Sequence, residues 1–243
     1  MAVSTNNHAG ATPTPSQTTT INNVAFTVYS LTQDTSTALY YRPNSSLPAT
    51  AQVSFRKFAR SRSYTYSGAP EFTLYSKVMR TNSAGTEEAQ YIAVAHCTLP
   101  MTATRVLFIL APAADGSIAP LTITAIYDSI TAFPRNTLCF YNATGSPLAG
   151  NLGSTPLSLN AGASAPISMI DTSGQETPIV LTLKHGDRVI TVLHNNWRFY
   201  PNNRTLIILL PPKGPDSYRI QAFRLSEYLG DDTAEDTGQS RWG

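Results

Sequence analysis

Histidine and cysteine are the residue types here best suited to metal or nucleophilic chemistry, and there are few: His8, His96, His185, His194, Cys97 and Cys139. A structural metal site draws several such ligands together, usually with short spacings between them. No His-x-His, His-Glu-x-x-His or Cys-x-x-Cys pattern occurs. His96 and Cys97 are adjacent and would point to opposite faces of a strand. No metal and no cofactor is expected. The Gly-x-Ser-x-Gly elbow of a hydrolase is absent, and Gly145-Ser146 and Gly153-Ser154 read as turn pairs. Glu71, Glu87, Glu88 and Asp128 could in principle make an acid pair, but nothing local brings any two together. Phosphate loops and dinucleotide fingerprints are also missing. The chain reads as a non-enzymatic protein with no catalytic residue.

Binding chemistry has better candidates. Arg56, Lys57, Arg60 and Arg62 fall in one stretch with Phe58, Tyr64 and Tyr66 interleaved. Basic side chains among aromatics suit a groove for an anionic polymer: an acidic polysaccharide, a lipopolysaccharide or nucleic acid. A plainer reading is a loop whose basic stems cover apolar edge surface and discourage edge pairing. A net charge of +2 argues against nucleic acid. Tyr64 and Tyr66 would share one face of a strand. Together with Tyr40-Tyr41 and Trp197, Phe199 and Tyr200 they could stack on sugar rings, or serve as core. The candidate ligand or partner surface is therefore Arg56, Lys57, Arg60, Arg62, Tyr64, Tyr66, Trp197 and Tyr200.

The elements that must position these residues are strands. Arg105-Val106-Leu107-Phe108-Ile109-Leu110-Ala111-Pro112 returns 99 residues later as Arg204-Thr205-Leu206-Ile207-Ile208-Leu209-Leu210-Pro211. Around each copy, short alternating runs such as Glu71 to Ser76 are punctuated by Gly, Pro and Asn, the pattern of an all-β chain. His185-Gly186-Asp187 between two apolar runs predicts a hairpin. The fold class expected is two tandem antiparallel β-sandwich modules, Ig-like or jelly-roll-like, related by an internal repeat. The modules span 23–130 and 137–228, joined by a short connector at Phe133-Pro134-Arg135-Asn136, so they should pack together. The repeated strands are read as the buried centre of each sandwich. Residues 1–22 read as a flexible leader, with an assembly arm as the alternative. The acidic stretch 229–243 reads as a disordered tail. Cys97 and Cys139 are either one inter-module disulfide or two buried thiols, the second being the simpler reading.

Composition fits this picture. Hydrophobic residues make up 42% of the chain and charged residues 13%, the latter about half the usual share of a soluble protein. No run approaches the length of a membrane-spanning helix. The start, Met1-Ala2-Val3-Ser4, lacks the basic and apolar regions of an export signal. The hydroxyl-rich surface nevertheless favours the periplasm or cell surface, with the chain as a mature or truncated form, and the cytoplasm stays open.

Tyr66-Ser67-Gly68, Asp128-Ser129, Phe133-Pro134, Tyr141-Asn142, the Gly162 turn after Leu157 and Leu159, and Trp197 ahead of the second Arg strand form a further pattern. In this the chain resembles uncharacterised exported bacterial proteins of the cell envelope, small and built of two β-sandwich domains. The resemblance covers about residues 24–226 and implies no catalytic residues. The function expected is that of a structural or interaction protein of the envelope, with a protein or envelope polymer as partner. The alternatives are a carbohydrate-binding pair of modules and a self-assembling surface subunit using residues 1–22.

Overall fold

Alternating apolar and polar residues, rich in β-branched and aromatic types, build strands throughout: among the described residues there are seventeen strands and no helix. The structure, a computed structural model, describes residues 20–31, 38–44, 46–83, 85–113, 117, 119–171, 174–214 and 216–230. The strands of the first half are β1 (Ile21–Ser30), β2 (Leu39–Tyr41), β3 (Ala51–Val53), β4 (Tyr64–Gly68), β5 (Glu71–Thr81), β6 (Glu87–Thr98), β7 (Arg105–Pro112) and β8 (Leu121–Tyr127). Those of the second half are β9 (Thr137–Asn142), β10 (Leu148–Leu152), β11 (Thr155–Leu159), β12 (Gly162–Ala163), β13 (Ile167–Ser168), β14 (Glu176–His185), β15 (Arg188–Arg198), β16 (Asn203–Leu210) and β17 (Gln221–Tyr228). β1 begins at Ile21, two residues inside the expected leader. The rest of the leader and proposed arm, up to residue 19, and the acidic tail from residue 231 lie outside the described residues.

Four sheets result. Their strand orders are β4-β1-β7-β8, β3-β2-β5-β6, β12-β9-β16-β17 with β13 also on β9, and β11-β10-β14-β15. Two are antiparallel throughout. The expectation of antiparallel pairing is corrected in the other two, where β1 runs parallel to β7 and β9 parallel to β16. Each parallel pair joins strands far apart in sequence, so no local turn signal announces it. The hairpin expected at His185-Gly186-Asp187 is present, with His185 paired to Arg188 and Gly186 at a positive φ of 59°.

Three apolar clusters bind the sheets into layers. The first, including Phe26, Phe72, Leu74 and Phe108, lies between the β4-β1-β7-β8 and β3-β2-β5-β6 sheets. The second, including Phe140, Ile179, Leu181 and Ile207, lies between the β12-β9-β16-β17 and β11-β10-β14-β15 sheets. The third joins the two halves through Tyr29, Leu107, Ile109, Phe133, Cys139, Tyr141, Leu206, Ile208 and Leu210. Val106, Phe108 and Leu110 of β7 face the first cluster and Leu107 and Ile109 the third. In β16 the faces are reversed in number, with Ile207 and Leu209 in the second cluster and Leu206, Ile208 and Leu210 in the third. β7 and β16 are thus covered on both faces, β7 by the first and third clusters and β16 by the second and third. That double burial is why they read as unbroken apolar runs. Each such side chain taken out of water contributes about 1.5–3 kcal/mol.

β10 and β14 approach closely where Gly150 pairs with Leu181, next to a bulge between Leu181 and Thr182. A Cβ at Gly150 would collide with the backbone carbonyl oxygen of Val180. Backbone cannot swing aside as a flexible side chain can. Gly150→Ala is expected to destabilise the protein by about 1–3 kcal/mol, read as a lowered urea midpoint at unchanged slope.

Candidate functional site

The basic aromatic segment does not form an exposed groove. It lies along β1: Ser61 N donates to Val28 O at 2.8 Å, Phe58 N to Ser30 O at 2.9 Å, and Arg60 bridges to Tyr29. Alternate residues therefore turn inward. Phe58 stacks on Phe223 of the second half, ring centroids 4.3 Å apart. Arg60 keeps only 8% of its side chain exposed. Tyr64 and Tyr66 are buried in the first apolar cluster. Tyr64 bonds through its hydroxyl to Ser54, and Tyr66 donates to Ala69 O at 2.6 Å. The placement of Arg60, Tyr64 and Tyr66 on a ligand surface is thus corrected: pairing with β1 aims them into the protein. Arg56, Arg62 and Tyr200 are exposed, Lys57 and Trp197 half-buried, and Trp197 packs on the second cluster. Arg62 lies over the Tyr64 ring and Lys57 over Phe58. The eight residues do not converge on one site.

What converges instead is a buried charge cluster. Arg105 and Arg204 open the repeated strands, and 23 residues after each stands an acid, Asp128 and Glu227. Each arginine lies beside its own acid. Asp128 N donates to Arg105 O, and Glu227 is the register partner of Arg204 across β16–β17. Each also reaches the acid of the other half. Arg105 Nη2 donates to Glu227 Oε1 at 2.9 Å, and its Nε lies 3.1 Å from Asp128 Oδ2. Arg204 Nε donates to Glu227 Oε2 at 2.8 Å, its Nη2 lies 3.3 Å from Asp128 Oδ1, and its Nη1 donates to the carbonyls of Asp128 and Phe133. Arg60 adds a bond from Nη2 to Asp128 Oδ2 at 2.8 Å. Side-chain exposure is 1% for Arg204 and 3% for both acids.

Three guanidinium groups facing two carboxylates leave one positive charge in excess. Burial pushes the Arg60 guanidinium below its ordinary range, Asp128 and Glu227 hold it up, and Arg105 opposes them. Beside the cluster is a cavity of about 10 Å³, room for one water. Taking charges out of water is costly, and the cluster is tolerable because its members bond one another. Arg204→Met leaves two buried carboxylates short of their partner and is expected to cost about 3–5 kcal/mol. Arg204→Met with Glu227→Leu should recover part of that, both read by urea melts.

A second site lies on the outer face of the β3-β2-β5-β6 sheet. Phe72 and Leu74 of β5 point into the core, so Glu71, Thr73 and Tyr75 take the opposite face. With Arg42, Tyr66 and Ala69 they line a pocket of about 170 Å³. Arg42 lies over the Tyr75 ring, 5.3 Å from its centroid, and Thr98 Oγ1 donates to Glu71 Oε1 at 2.7 Å. Tyr40 pairs with Tyr75 across the sheet and meets Tyr91 edge-on at 5.3 Å. Sequence reading missed Arg42, Thr73, Tyr75 and Tyr91 as a site, although the alternation of β5 was a signal for which residues share its outer face. A third cavity, also about 170 Å³ and mostly apolar, lies at the joint between Tyr127, Phe133 and Pro166.

Among the described residues no group of three His, Cys, Asp or Glu side chains converges as a ligand set for a metal, and His96 and His194 are both exposed. Neither cysteine is bridged. Burial pushes the thiols of Cys97 and Cys139 up to about 12, with Glu71 adding to the first and Arg204 opposing the second. Burial raises Tyr29 to about 12 as well. In the unfolded chain these groups ionise near 9 and 10. The folded state then holds protons that the unfolded state has lost, so their contribution is whole below about pH 9 and falls as pH rises towards 12. Replacing both cysteines with alanine should flatten the alkaline loss of stability in urea melts across that range. No protein-family model matches the chain, and no curated protein sequence matches it.

Proposed function

We propose that this chain is a non-enzymatic interaction protein: two tandem β-sandwich modules of one plan, locked in a fixed relation by a buried joint and presenting an outer sheet face to a partner. The repeat is supported by strand order. β1-β7-β8 maps onto β9-β16-β17, with β13 on β9 in the place of β4 on β1, and β3-β2-β5-β6 maps onto β11-β10-β14-β15. Detail supports it further. Ser61 accepts from Val28 N and donates to the next carbonyl, and Ser164 does the same with Phe140 N. Bulges occur at Leu74/Tyr75 and at Leu181/Thr182.

The observation that carries the reading is the crossed ion pairing, in which the arginine of each half bonds the acid of the other. The buried charged groups bond one another and hold the two halves together. Rigidity of that kind suits a scaffold that displays surfaces, and the long β5–β6 and β14–β15 hairpins run out beyond their cores. Spin labels at Thr81→Cys and Asp187→Cys, one at each hairpin tip, with Cys97 and Cys139 replaced by serine and alanine, should give one narrow distance distribution. A broad distribution would overturn the fixed relation.

A further inference from the structure

We propose that the outer face of the β3-β2-β5-β6 sheet binds a neutral oligosaccharide. One sugar ring sits in the pocket of Arg42, Glu71, Thr73 and Tyr75, and the chain continues over Tyr40 and Tyr91. The proposal rests on the two-module reading above for one step, the comparison of the halves.

That comparison concerns the tyrosines. Tyr40 is opposite Tyr75, and two residues further along the hairpin Lys77 is opposite Tyr91. At the matching places of the β11-β10-β14-β15 sheet, Ala149 is opposite Thr182 and Lys184 opposite Val189. The second half builds the same sheet with no aromatic at these positions. The fold therefore does not require Tyr40, Tyr75 and Tyr91, and their rings remain half-exposed on a solvent face. Arg42 and Glu71 correspond in the same way to Asn151 and Pro178, so the charged pair also belongs to the first half alone.

The chemistry of the pocket selects the ligand. Its ionised side chains are one guanidinium and one carboxylate. A phosphate or sulfate would meet Glu71, and an ammonium group would meet Arg42. A neutral polyol meets neither penalty: its hydroxyls accept from Arg42 and donate to Glu71, and each hydroxyl can do both. Thr98 already holds one Glu71 oxygen and Tyr75 supports Arg42, so little side-chain freedom is lost on binding. The C–H faces of sugar rings pack on flat aromatic rings such as those of Tyr40 and Tyr91. A pocket of about 170 Å³ accepts a ring, well below the volume that drug-sized ligands need. A peptide added as a strand is disfavoured because the outer part of the β6 edge begins with Glu87 and Glu88, the charged residues that guard an edge.

The test is a nuclear magnetic resonance titration of the isotope-labelled wild-type protein with cellohexaose, xylohexaose, mannohexaose and chitohexaose. A glycine tripeptide and inorganic phosphate form the control arms. At least one neutral oligosaccharide should shift the amides of Thr73, Tyr75 and Ala93 in a saturable way. Tyr75→Ala and Glu71→Gln, both on the solvent face, should each weaken that binding about tenfold or more, while Tyr75→Trp retains it. The proposal is overturned if none of the four sugars binds, if the tripeptide or phosphate binds this face instead, or if Tyr75→Ala leaves the affinity unchanged. The spin-label distances require no ligand, so the rigid scaffold stands or falls separately.

Discussion

Crossed pairing between two arginines and two carboxylates governs how the halves of this protein meet. Arg105 and Arg204 each lie beside an acid of their own half, and each also bonds the acid of the other. A joint docked out of register would leave buried charge unpaired, a cost of several kcal/mol per ion, so the crossed bonds select one way for the halves to meet. The same bonds set register. β7 and β16 are apolar on both faces, so their hydrophobic pattern alone resists a one-residue slip poorly. An arginine at the head of each strand, fixed to an acid in the neighbouring strand, removes that ambiguity. Arg60 and Phe58 extend the joint from a loop, which explains why a basic aromatic stretch is spent on the interior.

The joint determines what surface remains. With the β4-β1-β7-β8 and β12-β9-β16-β17 sheets packed against each other, the outer faces of the other two sheets become the broad surfaces turned to solvent. They differ in character. The face around β5 carries tyrosines and a balanced Arg–Glu pair, whereas the face around β14 carries Pro178, Val180 and Thr182. The close approach of Gly150 to Val180 shows the second sheet satisfying backbone packing at the place where the first sheet has Tyr41 and its neighbours.

Much of the fold was legible because strand signals are local. The alternation of Glu71 to Ser76 marks β5, and His185-Gly186-Asp187 marks a hairpin turn. The parallel pairs were not legible, since β1 meets β7 and β9 meets β16 across most of a half. The charge cluster left a trace that was easy to pass over. The spacing of 23 residues from Arg105 to Asp128 recurs from Arg204 to Glu227, but an arginine and an acid so far apart look like ordinary surface charges. Tyr64 and Tyr66 were visible as a one-faced pair, yet period two states only that they share a face.

Side-chain order along a strand is a covalent property, so the sequence alone determined the all-β class, the turn positions and which residues travel together on a face. Which face looks inward depends on what packs against it, and that is a matter of distant segments. Only the tertiary structure decided that Arg60, Tyr64 and Tyr66 point inward and that Glu71, Thr73 and Tyr75 meet solvent. It alone joined five charged residues from the two halves, because burial and crossed pairing arise only when the two inner sheets come face to face.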